Sequence, residues 1–436
     1  MRRVATLLVV PMVVLAALAA PAGAAEKTAP VTYAKDVAPL IQRACQTCHR
    51  PGQTAPMSLL TYDQVRPWAK AIKARVSARE MPPWHLDRTV GIQKFKNDPS
   101  LSDDEVSTIV GWVDSGAPPG NPAEAPPARQ FADDGAWQIG KPDLIITSTP
   151  HKLAAAAPDW FGSYVMATGL TEDRYIKAIQ TRPVSPAALR VVHHSAAFAV
   201  DGGRMGASFG DDSKGAGQFL VEYASGKGGE IYPEGSGVLL QADKKVQIDF
   251  HLHAVGEEAI AQVELGIVFY PKGFVPKHVR WTKQLGQTTE PLDIAPGALV
   301  RTDGYTRLNM AARITAFQPH MHIRGKRQCL ELIYPNGRTE LASCANFNYN
   351  WHLIYNYADD AAPIVPAGTM LHVISWHDNS TANRFNPDPK NWVGGGSRTI
   401  DEMAFSWIGW YDMTDQEYKD ELAARREQAK TTAGQQ

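Results

Sequence analysis

Two imidazoles flank a single residue at His320-Met321-His322. Residues two apart on an extended strand face the same side, so this pair can address one point, which is half of a metal site. Imidazole suits copper, zinc, iron and nickel, and a thioether tilts the choice toward copper. Met403, preceded by Asp401-Glu402, offers that thioether. Two other groups lie upstream, His193-His194 and His251-Leu252-His253. On a regular strand His193 and His194 would point to opposite faces, so joint ligation requires a bend or bulge there. The residues thus offer an all-imidazole set, His193 and His194 with one of His251 or His253, and a softer set, His320, His322 and Met403.

A second chemistry is written at Cys45-Gln46-Thr47-Cys48-His49. This is the attachment motif of c-type haem, in which both thiols bond to the porphyrin and the histidine is the proximal iron ligand. A redox disulfide is the competing use of two such cysteines, but the histidine directly after them and the lack of a thioredoxin-like pattern favour haem. A downstream methionine is expected as the other axial ligand, raising the potential of an electron carrier. Met81 is preferred to Met57. Met57 follows His49 so closely that the chain must double straight back, whereas Met81 comes after the helix-like stretch Tyr62 to Ala78 and opens the rigid Met81-Pro82-Pro83-Trp84.

The elements that must hold these groups follow from periodicity. Ser102 and Glu105 form a capping box ahead of an apolar face of Val106, Ile109, Val110 and Val113. With Trp112 in that closing helix, residues 30–120 resemble small class I cytochromes c. Gly116-Ala117-Pro118-Pro119-Gly120 and Ala125-Pro126-Pro127 mark a semi-rigid linker. From Ile139 short β-rich runs alternate with turns, the pattern of sandwiches, with a break near Pro271-Lys272-Gly273 and Pro276. The expected fold class is multidomain: a small all-α cytochrome c domain followed by two all-β, jelly-roll-like sandwich domains. The expected boundaries are a signal peptide over 1–24, the cytochrome c domain over 25–120, a Pro-rich linker over 121–138, copper sandwiches over 139–275 and 276–412, and a charged helical tail over 413–436. A hairpin is expected around Pro335-Asn336-Gly337-Arg338. A two-residue Asn-Gly turn places Cys329 opposite Cys344, close enough for a disulfide.

The order His193-His194, His251, His320-Met321-His322, then Asp401-Glu402-Met403 resembles that of the copper type II, ascorbate-dependent monooxygenases, the family of peptidylglycine alpha-hydroxylating and dopamine beta-monooxygenases. The resemblance covers about residues 135–412. It implies two β-sandwich domains with one copper each: His193, His194 and His251 on the electron-transfer copper, and His320, His322 and Met403 on the copper that meets dioxygen and hydroxylates a C–H bond. His251 matches the family's histidine in its spacing to Gly256, leaving His253 as a supporting or alternative ligand. Two departures stand out. Gln318 occupies the place of an arginine that helps the peptide hydroxylase hold its substrate's carboxylate, which argues against a peptidylglycine substrate. The haem motif is the other: a haem c is expected to supply the electrons that ascorbate supplies in the family. Trp351-His352, His372 and Trp376-His377-Asp378 are read as strand packing and turn hydrogen bonds.

Composition bounds the rest. Lys+Arg of 44 against Asp+Glu of 45, with no basic run, gives nothing to attract nucleic acid or an anionic membrane. Arg2-Arg3, the apolar run to Ala19 and Ala22-Gly23-Ala24 read as a cleaved signal peptide, and no later stretch could span a bilayer. The expected protein is therefore periplasmic or secreted. It carries haem c and two copper ions and acts on a small-molecule substrate with dioxygen. An ascorbate-like reductant or another cytochrome is the possible external donor. The competing expectation is a non-catalytic electron-transfer or copper-binding protein.

Overall fold

The computed structural model describes residues 30–53, 55–131, 137–201, 217–224, 226–287 and 291–433. The expected signal peptide lies outside the described residues. Strands make up 38% of the structure and helix 18%, so the chain is predominantly β.

The expected fold class needs correction. An all-α cytochrome c domain set apart from two sandwich domains is not the architecture found. The longest helix, Asp415–Ala433, is at the C-terminal end. The helices nearer the N-terminus, Ala38–Ala44, Tyr62–Val65, Ala69–Ser77 and Asp103–Asp114, are short. They bury Ile41, Val65, Ile109 and Trp112 against one another. The chain between the last two does not stay with them. Trp84, Leu86, Ile92 and Phe95 pack into the core of the second β half. Backbone bonds fix that excursion: Asp87 N–H donates to the Cys344 carbonyl (2.8 Å), Ile92 N–H to that of Ala342 (2.9 Å) and Lys96 N–H to that of Asn356 (2.8 Å). Four large apolar side chains on a surface loop would be costly to leave in water, and the β half is where they are covered.

Nor are the sandwiches independent. One ten-stranded sheet runs through both halves, because Ser236 and Gly237 pair in parallel with His278 and Val279 across the turn at Pro271–Phe274. A four-stranded sheet (Trp160–Ala167, Lys245–Leu252, Val192–Val200, Gln218–Ala224) covers one end of the long sheet. The core there holds Ile176, Ile179, Ile248 and Phe250. A second four-stranded sheet (Leu299–Arg307, Met370–Asp378, Gly325–Ile333, Thr339–Ala345) covers the other end, around Phe317, Leu330, Val373 and Ile408. Where the halves meet, Ala196, Phe198 and Phe219 of the first pack on Phe405 and Trp407 of the second, with the Phe219 and Trp407 rings stacked at 4.0 Å. The histidine groups lie beside this contact.

The expected disulfide is present: Cys329 and Cys344 are opposed in register and bonded. The turn reaches that register by a different route. Tyr334 N–H donates to the Arg338 carbonyl and Gly337 sits at φ +82°, so the loop has three residues, Pro335 to Gly337. This offsets the upper rungs by one position. A bulge opposite Leu330 and Glu331 restores the pairing of the cysteines. Such a bond marks an oxidising compartment. Among the described residues no helix is long and apolar enough to cross a membrane.

Candidate metal centre

His194 lies directly opposite His251 on neighbouring antiparallel strands. The ladder slips between Val192 and His194, giving the irregularity that His193 needs to turn toward the same point. The ligand nitrogens of His193, His194 and His251 lie within 4.8 Å of one another. Asp159 supports the group, with its Oδ2 2.8 Å from His251 Nε2. This leaves Nδ1 as the His251 nitrogen without that partner, and a carboxylate on the other nitrogen is how metal-ligating histidines are commonly oriented. The same hydrogen bond holds the Asp159 carboxyl well below the usual range, against its partial burial. His253 bonds the other oxygen of Asp159 from an exposed position and does not enter the cluster.

His320 lies opposite Phe405 and Met321, the last residue of its strand, opposite Ala404, so His322 and Met403 sit just beyond the paired ends. Glu402 fixes both. Its carboxylate is fully buried and accepts the backbone N–H of His322 (3.0 Å), Arg324 (2.7 Å) and Met403 (3.3 Å). His322 Nδ1 donates to the Asp401 carbonyl at 3.0 Å, freeing Nε2. Gln318 is not available to a substrate. It is buried and engaged with the Glu222 carboxylate and, at 3.1 Å, with Lys227 Nζ.

The two sets are brought to one place. His194, His251, His320, His322 and Met403 line a single cavity of about 10 Å³, roughly the space of one water. Phe161, stacked on His251 at 4.3 Å, and Tyr349, stacked on His193 at 5.3 Å, help close it. Burial favours the neutral form of His193, His194, His320 and His322. It lowers His193 to about 3, helped by the neighbouring His251, and holds His320 well below its ordinary value. Neutral imidazole is the form that ligates, and His193 Nδ1 and His320 Nδ1 are buried without a hydrogen-bond partner. The donor set therefore fits a soft or borderline metal such as copper.

The sequence reading missed His352, Asp159 and Tyr349. His352, expected to serve in strand packing or turn hydrogen bonds, faces the cavity. The adjoining Trp351 gave no indication of that. His372 and His377 do pack within the sheet, the former between Asp303 (2.7 Å) and Glu331 (2.8 Å) and the latter 3.4 Å from Glu402.

At the haem motif, Cys45 and Cys48 are free thiols, and His49 Nδ1 lies 3.2 Å from the Met57 carbonyl, which leaves Nε2 for an iron. Burial above all pushes the Cys45 thiol up to about 12 and raises Cys48. A redox dithiol needs depressed thiols, so this environment does not suit disulfide exchange. Met57 packs in the same apolar cluster as Cys45. Met81 lines a separate cavity of about 350 Å³ with Trp84 and His85, and none of Cys45, Cys48 and His49 borders it.

No protein-family model matches the chain. No curated protein matches it either. Among solved structures it is similar to N-glycanase F (PNGase F), at 8% identity over 62% of this chain and 96% of that one, with a TM-score of 0.28. It is also similar to a structure of infectious bursal disease virus, Gx strain, at 10% identity over 63% and 72%, with a TM-score of 0.17. Similarity at that level carries no argument about function.

Proposed function

We propose that the chain is an exported copper protein of the monooxygenase type, carrying haem c, that hydroxylates a C–H bond of a small substrate. The observation that supports this best is the convergence of His194, His251, His320, His322 and Met403, distant in sequence, on one buried cavity. His193, His194 and His251 would hold one copper and His320, His322 and Met403 the other, with Cys45, Cys48 and His49 holding the haem. Copper so held supplies one-electron chemistry with dioxygen, and haem c supplies electrons. The chain's own part is positional. Asp159 and the Asp401 carbonyl aim His251 and His322, Glu402 holds the backbone of His322 and Met403, and Phe161 and Tyr349 wall the cavity. The soft, weak Met403 thioether favours the reduced ion. Export to the periplasm or beyond agrees with the disulfide.

One observation favours the second reading, a non-catalytic electron-transfer or copper-binding protein. A cavity of about 10 Å³ leaves no room for an organic substrate unless the Tyr349 and Thr399 side moves. Oxygen uptake separates the two. The copper-loaded protein, given reductant and a panel of small aliphatic, aromatic and peptidyl compounds, is expected to consume oxygen in step with at least one of them. That uptake should fall at least 100-fold in His322→Ala. Uptake that never exceeds the reductant background in any case would leave the carrier reading.

A further inference from the structure

His352 stands between the two histidine groups. Its ring centroid is 5.3 Å from that of His194, 5.6 Å from that of His193 and 5.2 Å from that of His320. His194 and His320 are themselves only 6.5 Å apart. The His352 imidazole is 3% exposed, and neither of its nitrogens has a hydrogen-bond partner. A neutral imidazole carries one donor and one acceptor, and burying both unpaired is costly. The loop does not put the ring there by default. Trp351 and Leu353 on either side pack into the core of the second half, and Trp351 lies against Gly226. The backbone between them is pinned with the ring turned inward. The ligand atoms of Glu222, His320 and His352 lie within 4.8 Å of one another, beside the His193, His194 and His251 group.

We propose that His352 is a further metal ligand, shared between the two histidine groups, so that the two copper ions occupy one compact binuclear centre rather than two isolated sites. This rests on the reading of the cavity as a copper centre. It differs from the ligand sets drawn from the sequence in both membership and spacing. His320 lies within reach of an ion on either side, toward His322 and Met403 or toward His352 and Glu222.

The test compares copper content with the number of unpaired spins in the fully oxidised, copper-loaded protein, native and as His352→Ala and His352→Gln. Ions held close together couple, so native protein with two coppers per chain is expected to show well under half of the spins that two independent ions give. In both variants the expected result is loss of one copper, or retention of both with the full spin count restored. Circular dichroism and thiol titration check that the variants keep the fold and the Cys329–Cys344 bond. Should they fail that check, the spin-to-copper ratio of the native protein decides by itself. Two coppers with two full spins in native protein would overturn the proposal and leave the copper reading standing. Binding of no copper would overturn both.

Discussion

Glu402→Ala is expected to lower the urea midpoint of unfolding more than any other single substitution near the cavity. The carboxylate is fully buried and accepts the buried backbone N–H groups of His322 and Arg324, with that of Met403 added at longer range. Alanine removes the acceptor and leaves these donors without it at a site shielded from solvent. A buried donor left unpaired costs about 1–3 kcal/mol, so the two shortest bonds alone imply a loss of roughly 2–6 kcal/mol. The same change frees the backbone that holds His322 beside Met403. Partners of this kind are worth about 10–100-fold in metal affinity. Urea unfolding of the copper-free protein isolates the first effect, and copper titration with a competing chelator reads the second. Glu402→Gln keeps one carbonyl acceptor and is expected to fall between native and alanine on both. A native midpoint in Glu402→Ala would show that these hydrogen bonds do not hold the His322–Met403 corner.

The second large effect is expected from the disulfide. Cys329 and Cys344 are separated by 15 residues. Closing a loop of that size in the unfolded chain is worth about 3 kcal/mol. Both residues are buried next to Ile374, in the hairpin that receives Asp87 and Ile92 from the earlier excursion of the chain. Cys329→Ser with Cys344→Ser is therefore expected to lower the urea midpoint and to make the 84–97 segment more open to protease. Because that segment hangs on the Ala342 and Cys344 carbonyls, cleavage there should appear before global unfolding. A variant that unfolds like native protein and resists protease equally would contradict this.

The sequence placed the candidate ligands more readily than the architecture. Spacing on a strand was enough to pair His320 with His322, and alternation was enough to require an irregularity at His193, which the ladder has beside Val192. The capping box at Ser102 and Glu105 was equally local, and both of its hydrogen bonds are made. Local rules could not say where Trp84, Leu86 and Phe95 would be buried. Their partners, Tyr355 and Tyr357 among them, are some 260 positions away and belong to a sheet that no periodicity places. That long-range burial is why the helical segments do not form a domain of their own. The parallel pairing at Ser236 and His278 was hidden for the same reason, and with it the fusion of two sandwiches into one sheet. Cys329 and Cys344 meet as expected although the turn has three residues rather than two, because that loop and the later bulge cancel. His352 looked like a packing residue, and only its distances to His194 and His320 reveal otherwise.

The proposed copper centre of buried histidines and Met403, in a chain that also carries haem c, stands or falls on metal content. Copper and iron per chain, measured in protein exported and purified with its haem and then loaded with copper, test it most directly. Two coppers and one iron are expected, with copper lost when His320→Ala is combined with Met403→Ala and iron unchanged. Native protein that binds no stoichiometric copper, or a double variant that keeps both ions, would contradict it.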